Sequence, residues 1–185
     1  GDLLVNESNA LKTIFDNTAG LIAVHAEDET RMIERKKIIE GRTDMAAHAE
    51  WRDDETAIIA TKRAVTYAQD SGHRLHILHL TSGIEADYLA DLTSLHKEEG
   101  RAHITTEVLP QHLTYDETDV EELGTRLKMN PPIRYQKDKE TLWKRLLDGT
   151  IACIATDHAP HTMENKKLGF PKAHSGMPGV ETSLS

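Results

Sequence analysis

The chain has 185 residues, 38% of them hydrophobic, enough to bury one sizeable core and consistent with a single domain. Its formal charge of −9 comes without any block of Lys or Arg, which argues against a nucleic-acid surface. The longest apolar runs, residues 20–24 and 75–80, are far too short to cross a bilayer, the start Gly1-Asp2-Leu3 has no basic export-signal region, and the lone cysteine, Cys153, excludes an internal disulfide; no membrane partner and a cytoplasmic location are expected.

Residues 6–16 read as a helix capped at Asn6 or Ser8, with Leu11, Ile14 and Phe15 on one face. Residues 21–24 follow as a short buried strand ending at His25. A charged helix over 29–39 closes at Gly41. A polar connection through Met45, His48 and Trp51 leads to Asp53 and Asp54, which suit a helix start, and Ile58, Thr61, Val65 and Ala68 then recur at helical spacing until Gly72. The next strand spans 74–80 and is followed by a helix with Ile84, Tyr88, Leu92 and Leu95 on one face, closed at Gly100. Residues 102–109 alternate as a strand that Pro110 ends. A short helix within 114–123, an extended proline-stiffened loop over 128–134 and a helix over 138–147 lead into the run Ile151 to Thr156. This last run reads as a buried parallel strand, with Cys153 as a small buried hydrophobe and Asp157 at the tip. The tail from Thr162 reads as a long loop.

Strand and helix alternate about four times without internal repeat, the signature of parallel βα units. Four units fill half of an eight-stranded barrel, so the chain is either a small open α/β sheet or part of a larger barrel. Eleven histidines against two Phe, two Trp and four Tyr are the unusual feature of the composition. His25, His79 and Asp157 each end a strand, and parallel strand tips converge on one face of a sheet. Two imidazoles and a carboxylate there suit zinc, which would make hydroxide available near neutral pH while Asp157, the first candidate for a catalytic group, accepts a proton and passes it to a leaving nitrogen. Taken singly, a strand-end histidine can equally serve structure and Asp157 can cap a turn. His158 and His161 could orient a substrate anion or belong to a polar loop; Asn130, on its stiff loop, could recognise an amide or sit in a plain turn.

Five segments, Leu21-Ile-Ala-Val-His-Ala-Glu-Asp28, His76-Ile-Leu-His-Leu-Thr-Ser82, Lys128-Met-Asn-Pro-Pro-Ile-Arg134, Thr156-Asp-His-Ala-Pro-His161 and Ser175-Gly-Met-Pro-Gly-Val-Glu-Thr182, occur in the order found in dihydroorotases of the amidohydrolase superfamily. The resemblance implies an α/β fold of the (β/α)8 TIM type, one catalytic barrel to which residues 1–185 contribute roughly the second half. It implies a zinc enzyme with one or two ions that interconverts dihydroorotate and N-carbamoyl-aspartate in pyrimidine synthesis. Carried over residue by residue, His25 and His79 resemble zinc ligands and Asp157 a ligand that is also the general acid/base. Asn130 and His161 resemble residues that hold the substrate, and backbone from Ala173 to Gly176 resembles a loop closing over it. Hydantoinases, dihydropyrimidinases and allantoinases share the His-Ala-Glu and Thr-Asp-His motifs, while Asn130-Pro-Pro-Ile-Arg134 and His161 favour dihydroorotase. Two departures stand out. Gln111 occupies a position where many relatives place histidine, read as a local packing or hydrogen-bonding difference. The family's His-x-His pair does not occur, so these residues are expected to be the central to C-terminal part of such an enzyme, inactive alone. The resemblance also implies a homo-oligomer, as in a dimer, and a transcarbamoylase as partner. The competing reading is a non-catalytic dihydroorotase-like subunit of a transcarbamoylase complex.

Overall fold

In a computed structural model, which describes residues 8–95 and 103–183, four strands form one parallel sheet in sequential order. They are β1 (Leu21–Val24), β2 (Arg74–Ile77), β3 (Ile104–Val108) and β4 (Cys153–Ile154). The register sets Ile22 beside Leu75, Leu75 beside Ile104 and Val108 beside Ile154. Helices α1 (Ser8–Asn17), α2 (Glu29–Arg35), α3 (Ala46–Trp51), α4 (Asp54–Ser71), α5 (Gly83–Leu95), α6 (Pro110–Thr114), α7 (Glu117–Leu123), α8 (Gln136–Leu147) and α9 (Met163–Lys166) fill the connections. No described helix is long and apolar enough to cross a membrane.

Alternation along the strands explains why the helices pack on one face only. Leu75, Ile77, Ile104 and Val108 point into a core shared with Phe15, Ala64, Val65, Ala68, Leu89 and Leu142 of the helices. His76, Thr105 and Glu107, the residues between, point the other way and stay partly accessible. A second apolar cluster sits under the loops at the strand tips: Met45, Ala47, Leu109, Val120, Leu127, Met129, Ile133, Phe170 and Met177. Each large side chain so buried stabilises the fold by about 1.5–3 kcal/mol, so the loops beyond the strands rest on a packed base.

Local chemistry starts and stops the helices. Asp28 caps α2 by accepting from the Arg31 N–H, and Asp53 caps α4 through Thr56. Gly72 ends α4 in the left-handed conformation (φ 67°), which only glycine adopts at little cost.

Several expectations need correction. The polar connection around His48 is helix α3: Ala47 and His48 are buried on its inner side, a pattern too short for periodicity to reveal. Pro110 opens α6 as well as ending β3, since the first turn of a helix needs no N–H from it. The run 151–156 is not a buried strand. Its ladder is two residues long and both residues are exposed: Cys153, beside Glu107, faces the inner side of the sheet, which is uncovered there among the described residues, and Ile154, beside Val108, is 46% exposed on the helix side at the sheet's edge. Edge position likewise leaves Leu21 of β1 half exposed. The tail is not all loop, as α9 lies within it. Asn6, Gly100 and Ala102 lie outside the described residues.

Candidate functional site

The tips of β1, β2 and β4 carry His25, His79 and Asp157. His79 is fixed between its neighbours: the Leu78 N–H donates to the Val24 carbonyl, the Leu80 N–H to the Glu107 carbonyl, and the His79 N–H reaches Glu107 Oε1 at 3.3 Å. Its φ is 34° and that of Asp157 is 40°. Left-handed backbone costs a non-glycine residue about 1–2 kcal/mol and is retained where surrounding structure enforces it. Two of the three strand-tip candidates carry this strain.

His25 Nδ1 and His79 Nε2 face each other at 2.9 Å. At 2.9 Å on the far side of the His25 ring, Glu27 Oε2 accepts from Nε2. Glu27 is almost wholly buried, and Arg52 clamps it through both Nε, 3.0 Å from Oε1, and Nη2. Burial opposes its charge, but the bonds from His25 and Arg52 win and hold its carboxyl down at about 2. Glu27 is therefore a carboxylate that needs a proton donor from His25, which leaves the His25 Nδ1 lone pair aimed at His79. Burial lowers the His79 imidazole and the neighbouring His25 lowers it further, while the charge of Asp157 pulls it back up, so Asp157 lies within electrostatic reach. His79 Nδ1 is buried without a hydrogen-bond partner among the described residues. Two imidazole nitrogens converging, with one tautomer set by a buried carboxylate, fit a divalent cation.

Asn130 stands beside this group, on a loop held at both neighbouring carbonyls. His48 Nε2 donates to Met129 O at 2.9 Å, and His112 Nε2 donates to Pro131 O at 3.2 Å. Both histidines are buried and neutral, pushed down by desolvation to about 4 for His48 and about 3 for His112. Asn130 Oδ1 and Arg134 Nη2 are buried and have no partner among the described residues, although Arg134 also donates to Thr81 Oγ1 and the Arg52 carbonyl. Such atoms cost about 1–3 kcal/mol each when left unpaired. Asn130, His25, Glu27 and Arg52 line one cavity of about 550 Å³ together with Ile22, Ala23 and Val24 of β1.

Past Asp157 the side chains brace a second loop. His158 Nδ1 accepts from the Gly179 and Val180 N–H groups, so this imidazole is spent on structure. His161 Nε2 donates to Ser175 O at 3.0 Å. Gly176 (φ 139°) packs so closely that a Cβ would lie 2.5 Å from the Ala159 carbonyl oxygen and 3.0 Å from His161 Nε2. Ala173 is buried, and its carbonyl accepts from Lys128 Nζ. Lys166 Nζ donates to the carbonyls of Lys128 and His174, and burial lowers its ammonium to about 8. Gln111 donates to the carbonyls of Pro178 and Thr156, the hydrogen-bonding role expected for it.

The structure thus brings His25 and His79 together but does not set Asp157 within ligating distance of both, places Asn130 on the same cavity as His25, and joins His161, Ala173 and Gly176 in one loop assembly. Sequence reasoning missed Glu27, Arg52, His48 and His112. Glu27 lay inside a quoted motif, two residues after a candidate ligand, which was the available signal; the other three act only through contacts distant in sequence.

The chain is 38% identical to a dihydroorotase of Halobacterium salinarum over 164 residues, covering 89% of this chain and 36% of that one. It is 43% identical to a dihydroorotase of Lactococcus lactis over 130 residues, 70% of this chain and 29% of the relative. Among solved structures, an L-hydantoinase (dihydropyrimidinase) from Arthrobacter aurescens superposes with a TM-score of 0.87 at 31% identity, over 96% of this chain and 40% of its own. A D-hydantoinase from Bacillus sp. AR9 gives 0.85 at 25% identity, over 100% and 42%. No family model matches. The four-stranded sheet is accordingly a part of a TIM-type amidohydrolase barrel.

Proposed function

We propose that this chain, which belongs to the dihydroorotase family and spans about a third of the length of the relatives it matches, supplies His25, His79, Asp157 and Asn130 to a site that opens a cyclic amide. The observation that carries the reading is the pair of facing ring nitrogens, His25 Nδ1 and His79 Nε2, with the His25 tautomer set by Glu27. His25, His79 and Asp157 would hold the cation, and zinc suits a set of two imidazoles and a carboxylate. When bound, such an ion supplies Lewis acidity and a water that is nucleophilic near neutral pH.

The remaining work falls to side chains. Asp157 accepts the proton of the attacking water on a carboxylate oxygen and returns it to the ring nitrogen as the carbon–nitrogen bond breaks. Asn130, between carbonyls fixed by His48 and His112, offers its unpartnered Oδ1 to a ring N–H. His161 and the backbone from Ala173 to Gly176 bear on the substrate's carboxylate side.

Relatives in sequence are named dihydroorotase, which favours dihydroorotate and N-carbamoyl-aspartate, hence pyrimidine synthesis in the cytoplasm, over the hydantoins named for the structural neighbours. The same resemblance supports a homo-oligomer, with a transcarbamoylase as an assembly partner. The test is ring opening of dihydroorotate, hydantoin and dihydrouracil by the zinc-loaded protein. Preference for dihydroorotate supports the reading; turnover of hydantoin alone replaces the substrate, and zinc binding without turnover of any ring by a protein that carries the whole barrel favours the non-catalytic subunit.

A further inference from the structure

A different set of donors lies on the sheet's inner face. His76 of β2, Glu107 of β3 and Cys153 of β4 come from three adjacent strands, and their ligand atoms all lie within 4.8 Å of one another. His76 Nε2 is 3.0 Å from Glu107 Oε2. We propose that His76 Nε2, Glu107 Oε2 and Cys153 Sγ form a second divalent-metal site, for a borderline-soft ion of the zinc type, built from none of the donors in the His25, His79 and Asp157 group.

The groups that orient these donors are in place. His76 Nδ1 is 2.8 Å from Thr105 Oγ1, and that hydroxyl lies 3.5 Å from the Leu75 carbonyl. With the Thr105 hydroxyl proton turned to Leu75 O, its oxygen takes the Nδ1–H, and the Nε2 lone pair then faces the Glu107 carboxylate. In that tautomer two acceptors face each other and a cation between them is favoured; in the other, Nε2–H donates to Glu107 Oε2, as His25 does to Glu27, and a divalent ion binds by displacing that proton. Glu107 Oε1 is meanwhile held by the His79 N–H, which leaves Oε2 to serve the cluster. Tetrahedral zinc with bonds of about 2.0–2.3 Å sets its donors about 3.5 Å apart. Cys153 Sγ already lies within 4.8 Å of both other ligand atoms, so rotation about its side-chain bond covers the remaining distance. A thiolate, an imidazole and one carboxylate oxygen select zinc or cobalt over magnesium or calcium, which require oxygen ligands. The bound ion would also do structural work: β4 is held by a two-residue ladder, and the ion would tie it across β3 to β2.

Cobalt(II) is the probe, because only a thiolate ligand gives a sulfur-to-metal charge-transfer band and Cys153 is the chain's one cysteine. The full chain titrated with cobalt is expected to show that band and to lose it on adding zinc. Cys153→Ser is expected to abolish it, His76→Ala and Glu107→Gln to weaken cobalt binding at least about tenfold, and Thr105→Val by about 10–100-fold as a lost outer-shell partner. The His25→Ala/His79→Ala protein should keep the band. Absence of the band in the wild type, its persistence unchanged in His76→Ala, or its loss in the His25/His79 variant would each overturn the proposal. A readout that needs no variant is alkylation of Cys153: stoichiometric zinc should slow it about tenfold or more, and an unchanged rate sinks the site.

Discussion

Glu27 Oε2 accepts from His25 Nε2 at 2.9 Å, and that bond points the opposite nitrogen of the ring at His79. The carboxylate is itself fixed by Arg52, whose backbone carbonyl is held by Arg134 Nη1 at 2.7 Å. An orienting chain therefore runs from the loop after the Asn-Pro-Pro segment to the tip of β1. A ligand histidine needs such a partner to present one tautomer in one orientation.

Replacing Glu27 with Gln tests that chain. The amide keeps a contact to His25 but no longer demands its proton, so zinc affinity at the His25, His79 and Asp157 group should fall about 10–100-fold, read by competition with a chromophoric chelator. Arg52 would be left buried without its counter-charge, at a cost of about 3–5 kcal/mol in urea denaturation. Unchanged zinc affinity in a folded Glu27→Gln protein would remove Glu27 from the site.

Glu27 shows what the sequence could and could not disclose. Residues 25–28 were legible as a motif and 29–39 as a charged helix, but the partner that makes Glu27 matter, Arg52, lies 25 residues on, at the end of a helix that read as a polar connection. The strand tips were legible because apolar runs ended in His or Asp. Strand lengths were not, since Ile151 to Thr156 has the composition of a buried strand yet pairs over two residues. His48 and His112 were opaque for a related reason. Nothing local distinguishes a buried histidine that braces a distant carbonyl from one on the surface.

His48 carries a pH prediction. Its folded pKa, about 4, lies below the ordinary value of 6.5, so between those values the unfolded chain binds a proton that the native chain does not. The stabilisation is complete above pH 6.5 and is lost as pH falls toward 4, on the order of 3 kcal/mol in all. His112 acts in the same direction down to about 3 and Glu27 below 4.5, so the comparison must be by difference. His48→Gln, which retains a donor for Met129 O, should be less stable at neutral pH and show a shallower decline of stability across this window. Parallel profiles for the two proteins would show that His48 does not stay neutral in the fold.

Gly176 carries a steric one. Gly176→Ala adds a Cβ that meets the Ala159 carbonyl oxygen at 2.5 Å, and at φ 139° an alanine is strained as well. Gly20→Ala is the control: its φ is 101°, but nothing lies within 4 Å of the added carbon. The control should cost about 1 kcal/mol from backbone alone. Gly176→Ala should cost clearly more, and should break the His161 to Ser175 bond, seen as a shift in the His161 ring resonances. Equal melting temperatures for the two variants would mean that the loop from Ala173 to Gly176 yields without strain.

Asp157 separates chemistry from folding. Its side chain is exposed and its backbone is left-handed, a conformation asparagine tolerates at least as well as aspartate, so Asp157→Asn should leave stability unchanged or slightly raised. Its charge, however, is what raises the His79 imidazole against burial, and an amide cannot take up a proton. Ring opening should therefore fall by about 10²–10⁴ if Asp157 moves the proton between water and the ring nitrogen. A variant that is fully folded and retains its turnover would place the proton transfer on another residue.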